Sequence, residues 1–108
     1  TITIQNVLPY YMKMFSVYFD YKKLEKIIED SINNKKLVAI GEIGLDYYYT
    51  KENRDKQIEV FEFQLALAEK YNLPVVVHSR EATLDTIESI KKFKVIVLVV
   101  VLKQLTYL

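Results

Sequence analysis

Two apolar stretches of this chain each carry a residue able to do chemistry. In "VAIGEIGLDYYY" (Val38 to Tyr49) it is Glu42, set between Gly41 and Gly44. In "VVVHSR" (Val75 to Arg80) it is His78, the 1 histidine of the sequence. Side chains on a strand alternate between its faces. Val38, Ile40 and Glu42 are therefore expected on one side of the first strand, and Val76 and His78 on one side of the second. Each polar residue is then the last on its face, at the C-terminal end of a strand. Parallel α/β sheets and barrels bind ligands at that edge. A carboxylate and an imidazole converging there suit Zn²⁺, Mn²⁺ or a similar cation, which polarises a substrate oxygen or supplies hydroxide. By residue type alone a second reading stays open. A glutamate after a strand also serves as a loop residue or helix cap, and a histidine in an apolar strand also serves as a hydrogen-bonded core residue. Two ligands do not complete a site, since zinc takes about four.

Strands alone do not bring these residues together, so the surrounding pattern matters. "TITIQNVL" reads as a short strand ending before Pro9. Asp20 is placed to cap a helix whose Leu24, Ile27, Ile28 and Ile32 share a face and which closes at Asn33 and Asn34. "KLVAIGE" follows as a strand. A long helical pattern from Glu52 to Tyr71 aligns Ile58, Phe61, Leu65 and Ala68, and ends at Asn72 and Pro74. "PVVVHS" is a strand, a shorter helix holds Leu84, Ile87 and Ile90, and "FKVIVLVVVLKQLTYL" follows. Strands alternating with helices of ten or more residues imply βαβ units and a parallel sheet. One such unit separates Glu42 from His78, so their strands are expected to be neighbours. Either an open doubly wound sheet or part of a (β/α)8 barrel fits this alternation. No GxGxxG or GxxxxGK[ST] loop follows a strand, which argues against nucleotide binding.

Composition bounds the rest. With 108 residues and 51% hydrophobic content, the chain suits one small domain with a core. It has no cysteine, which removes disulfides and thiolate metal sites. No signal-peptide pattern opens the chain, and a cytoplasmic location is expected. The longest apolar run, "VIVLVVVL", is far short of the roughly 20 residues that cross a bilayer. Net charge is +1, so a polyanionic partner would need a local patch or bound cations to hold it.

"VAIGEIGLDYYY", then Gln57, then "FQLALAEKYNLPVVVHSREA" closely resembles the TatD family of metal-dependent deoxyribonucleases, amidohydrolase-like TIM-barrel hydrolases. The resemblance runs from Leu37 to Lys92. It implies a single partial domain over residues 1–108, amounting to about three or four of the eight βα units of a barrel. It implies DNA as substrate, no membrane, and divalent cations (Mg, Mn or Zn), two of them in the intact family. Glu42 matches the metal-bridging and catalytic glutamate, and His78 a metal-ligating histidine. Arg80 and Asp46 fall in matching stretches, as substrate contacts or supports of the site. The residues themselves also allow Arg80 as a solvated helix-start residue and Asp46 as a turn former. Tyr47, Tyr48 and Tyr49 could stack on bases, or pack over the barrel mouth.

Elsewhere the family pattern is missing. The His-x-His motif of its first strand is absent, and "NVLPYY" has Leu8 where a Gly-x-His-Pro segment carries histidine. "FKVIVLVVVLKQLTYL" has neither the histidine nor the cysteine of a His-Cys-Phe segment, and the later Thr-Asp acid is absent. Both ends read as truncated or frame-shifted, and the start, without methionine, reads as a fragment. Exposed sheet edges and the uncharged "VIVLVVVL" would favour self-association. Three other readings stand beside the nuclease: a related barrel hydrolase acting on an amide or ester, an inactive remnant, and a sheet-mediated interaction module.

Overall fold

The computed structural model describes residues 4–5, 20–33, 39–48 and 52–103, with the backbone alone for 4–5 and 99–103. Leu8, Pro9, Val38 and Tyr49 lie outside the described residues, as does most of "TITIQNVL". The strands are β1 (Ile4–Gln5), β2 (Ala39–Asp46), β3 (Val75–Arg80) and β4 (Val97–Lys103). The helices are α1 (Tyr21–Asn33), α2 (Arg54–Lys70) and α3 (Thr83–Ile90).

All strand pairs are parallel and the spatial order is β1-β2-β3-β4. That order decides between the two architectures the sequence allows. A doubly wound sheet reverses its strand order at a switch point and carries helices on both faces. Here each strand adds on the same side as the one before. Right-handed crossovers then place every helix on one face. The fold is therefore α/β, part of a (β/α)8 barrel in which parallel strands alternate with helices.

Local chemistry explains where the helices start and stop. The Asp20 carboxylate accepts the Lys23 N–H at 2.9 Å, the side-chain cap expected at the start of α1. Beyond α2, Asn72 takes a positive φ of 54°. Its N–H bonds to Glu69 O and the Leu73 N–H to Ala68 O, which satisfies carbonyls the helix end leaves open. The apolar faces then close over the sheet. Leu24 and Ile28 of α1 and Val60, Phe61, Leu65 and Ala68 of α2 are buried against Ile40, Ile43, Leu45, Val75 and Val77. Ile58 and Ile32 pack at the margin of this core.

Helix α3 departs from its sequence pattern. Its apolar residues Leu84 and Ile87 are 79% and 44% exposed, whereas Thr86 and Ser89 are buried. Hydrogen bonding accounts for the inversion. Thr86 Oγ1 donates to Ala82 O at 2.8 Å and lies 2.9 Å from Ser79 Oγ, while Ser89 Oγ donates to Glu62 at 2.8 Å. Buried hydroxyls so satisfied cost little. Among the described residues no helix is long and apolar enough to cross a membrane.

Candidate functional site

Glu42 sits in a β-bulge. The β2–β3 register runs Ile40↔Val75 and Gly41↔Val76, then resumes at Ile43↔Val77 and Gly44↔His78, leaving Glu42 without a partner position. Strict alternation, which would group Ile40, Glu42 and Gly44, does not hold. The extra residue resets the count, so that Ile40, Ile43 and Leu45 share the helix-covered face and Gly41, Gly44 and Asp46 share the face of His78. Nor are Glu42 and His78 the ends of their strands. Strand β2 continues to Asp46 and β3 to Arg80, because Leu45↔Ser79 and Asp46↔Arg80 extend the ladder.

Two glycines make the bulge possible. At Gly41 a Cβ would stand 2.6 Å from the Cβ of Val76. At Gly44, with φ at +152°, it would stand 1.7 Å from the backbone oxygen of His78. No side chain fits there, so Gly44 lets the β2 backbone close upon the segment that carries the histidine. Glu42 itself is half-buried.

Asp46 and His78 meet. The His78 Nε2 lies 3.3 Å from Asp46 Oδ2, with both side chains largely buried. A carboxylate oxygen accepts, so the pairing assigns a proton to Nε2. The other carboxylate oxygen, Oδ1, accepts the Tyr48 N–H at 2.9 Å. Asp46 is itself held from α2. The fully buried Gln57 accepts the Asp46 N–H through Oε1 at 2.8 Å and donates from Nε2 to Asp46 O at 2.9 Å. Gln57 thus satisfies both backbone groups at the strand end. Its signal in the sequence is an amide placed one turn before Phe61 on the buried side of an amphipathic helix.

Beyond the strands, the chain builds a rim. Tyr47 N–H continues the ladder to Arg80 O at 2.9 Å, and its buried hydroxyl donates to Asp85 Oδ2 at 2.8 Å. The Arg54 guanidinium grips the same carboxylate in a fork, at 2.8 and 3.2 Å. Burial, and then the bond to Asp85, pushes the Tyr47 phenol well above its ordinary value. The hydrogen bond from Arg54, and then that from Tyr47, holds Asp85 below its ordinary 3.8. This network borders a cavity of about 320 Å³ at the start of α3, also lined by Glu81, whose φ is +58°. Arg80, as the last residue of β3, lays its Cζ 3.6 Å above the ring of Tyr48.

Of the residues singled out in the sequence, the fold brings Asp46 and His78 into contact and aligns Arg80 with Asp46. Glu42 lies on the neighbouring strand at the bulge, just before the pair Gly44↔His78. Among the described residues, no three His, Cys, Asp or Glu side chains converge to hold a metal ion. Glu42 and His78 would supply two of the three or four protein donors that such a centre takes.

The architecture is that of part of an α/β barrel: strands of one direction, helices on one face, and polar side chains gathered where the strands run out. The chain belongs to the TatD related DNase family, whose model matches residues 7–104. It is 46% identical over 65 residues to an uncharacterized metal-dependent hydrolase, YabD, of Bacillus subtilis, covering 60% of this chain and 26% of that protein. It is 44% identical over 59 residues to YcfH of Escherichia coli K12, also named an uncharacterized metal-dependent hydrolase, covering 55% and 22%. A human relative named a 3'-5' RNA nuclease, TATDN2, is 39% identical over 80 residues, covering 73% of this chain and 10% of that protein. The aligned part is thus about a quarter or less of each relative.

Proposed function

We propose that this chain carries the central βα units of a divalent-metal-dependent nuclease that hydrolyses phosphodiester bonds of DNA. The observation that carries the reading is the His78–Asp46 pair at the carboxyl edge, beside a bulge that singles out Glu42 on the adjacent strand. Family membership and the relatives' names support metal-dependent hydrolysis. In this reading Glu42 and His78 are cation ligands, Glu42 is also catalytic, and the cations are two ions of Mg, Mn or Zn. Asp46 supports the site, since both its carboxylate oxygens are engaged, and it keeps the imidazole turned in a fixed direction. Arg80 presents a guanidinium suited to phosphate oxygens. Residues 1–108 act as one partial domain, located in the cytoplasm, with open sheet edges available for self-association.

The test is cleavage of single- and double-stranded DNA, and of RNA, by the purified chain with Mg²⁺ or Mn²⁺. DNA cleavage that is abolished by EDTA and by Glu42→Gln supports the reading. Cleavage that survives Glu42→Gln, or a preference for RNA, sinks the assignment of residue or of substrate. A second reading, an inactive remnant of such a barrel, is favoured by the lack of three converging donors among the described residues. A folded chain that cleaves nothing would establish it.

A further inference from the structure

We infer that two copies of this chain close on each other about a two-fold axis parallel to the strands, β4 of each beside β1 of the other, so that each supplies a half-barrel to its partner. The inference extends the self-association put forward with the nuclease reading, and it stands or falls separately from the chemistry.

Parallel sheets are ordinarily covered on both faces. In this sheet the crossovers put every helix on one face, and among the described residues β1 and β4 each have a neighbouring strand on one side only. The uncovered face is sorted along the strands. Near their amino ends it is apolar. Val97 packs against the helix-covered core, which turns Ile96, before it in the chain, the other way. The Ile96 carbonyl accepts the Val75 N–H at 2.9 Å, so this residue continues the ladder. Leu98 is the extra residue between the pairs Val75↔Val97 and Val76↔Val99. Ile96 and Leu98 are 69% and 56% exposed, although burial would favour both. Near the carboxyl ends the same face carries Asp46, His78 and Arg80.

A barrel interior has this polarity, with packed apolar layers below and a polar mouth above. The polarity also selects the occupant. Two sheets stacked with their strands opposed would press the apolar end of one face on the polar end of the other. Joining β4 to β4, edge to edge, would leave both faces in water. A two-fold axis along the strands sets apolar against apolar and pairs both free edges. Four strands from each copy make the eight at which a sheet closes over an interior filled by side chains. The closed pair has one mouth, to which each copy brings its own Asp46–His78 contact.

Sedimentation equilibrium of the whole chain tests the copy number, and NMR of mixed copies tests the arrangement. The expected mass is twice the 12.8 kDa of one chain. Leu98→Lys places a charge on a side chain that is exposed in the single copy, and should weaken pairing at least about tenfold through the lost apolar burial. For the arrangement, an unlabelled copy carries a nitroxide in Lys94→Cys, an exposed position just before β4. The chain has no other cysteine to take the label. In an isotope-labelled partner of natural sequence, closure predicts broadening of the Ile4 and Gln5 amides at β1. If Leu98→Lys fails to fold, the mass of the unaltered chain and the broadening pattern still decide. A single-copy mass, a mass that grows without limit as concentration rises, or undiminished pairing in folded Leu98→Lys overturns the inference. So does broadening at Val101–Lys103 in place of β1, the pattern of antiparallel β4–β4 pairing. Each of these outcomes leaves the nuclease reading to its own cleavage assay.

Discussion

On the helix-covered face of the sheet, Ile40, Ile43, Leu45, Val75 and Val77 are at most 1% exposed. On the opposite face Val76, His78 and Arg80 are only partly buried, and β2 contributes Gly41, Gly44 and Asp46. One face is a packed apolar layer, and the other carries small residues and reactive groups. The bulge at Glu42 separates the two sets. Had Glu42 taken a regular ladder position in place of the bulge, the isoleucines at 40 and 43 would fall on opposite faces, and one of them would leave the core. The same irregularity that gives Glu42 its position keeps the core sorted. Site and stability are therefore coupled at Gly41–Gly44, and again where Gln57 holds the backbone of Asp46.

The largest expected effect breaks the comparison at its junction. Gly44→Ala sets a methyl against the His78 backbone and should cost at least about 4 kcal/mol, seen as loss of the folded state in urea titration. Next come the two faces. Phe61→Ala, on the covered side, should cost about 3–5 kcal/mol. Val76→Ala, on the open side, should cost below about 1 kcal/mol. Equal losses would show that the open face is packed after all. Gln57→Leu should cost about 1–3 kcal/mol by leaving two buried backbone groups of Asp46 unpaired. It should also shift the imidazole proton signals of His78, which a purely structural loss would leave alone.

The smallest effect is electrostatic and lies at the rim. Arg54 and Tyr47 lower the folded-state pKa of Asp85, so the ionised carboxylate stabilises the fold above about pH 4. That contribution disappears as pH falls through the lowered value. Asp85→Asn should therefore be less stable than the wild type at neutral pH and show a shallower loss of Tm on going from pH 4 to pH 2. Parallel acid limbs would mean that the Arg54–Asp85–Tyr47 network carries no net stabilisation.

How far the sequence discloses all this depends on the range of the interactions involved. Helix–strand alternation and the caps at Asp20 and Asn72 are local and were legible. So was the neighbourhood of β2 and β3, which follows from one short crossover. The bulge was not legible. A period-two count sees only β2, whereas the bulge exists because β3 pairs with the residues on either side of Glu42. The Asp46–His78 contact was hidden for the same reason: its partners are 32 positions apart and meet only through the shifted register. Gln57 stood within the motif, but its bidentate hold on Asp46 could not be read from a helical pattern that weighs only apolar residues. In α3, hydrophobic spacing pointed to Leu84 and Ile87, whereas hydrogen bonds to Ser79 and Glu62 turned Thr86 and Ser89 inward.

The central proposal is that Glu42 and His78 present donors to one cation beside the β2 bulge. Paramagnetic broadening by Mn²⁺ tests it most directly, because a single histidine gives a single set of imidazole signals. The account predicts that substoichiometric Mn²⁺ broadens the His78 ring protons and the amides of Gly41–Asp46, that EDTA reverses this, and that Glu42→Gln weakens it. Broadening confined to exposed carboxylates away from the bulge, with the imidazole signals unchanged, would contradict the proposal.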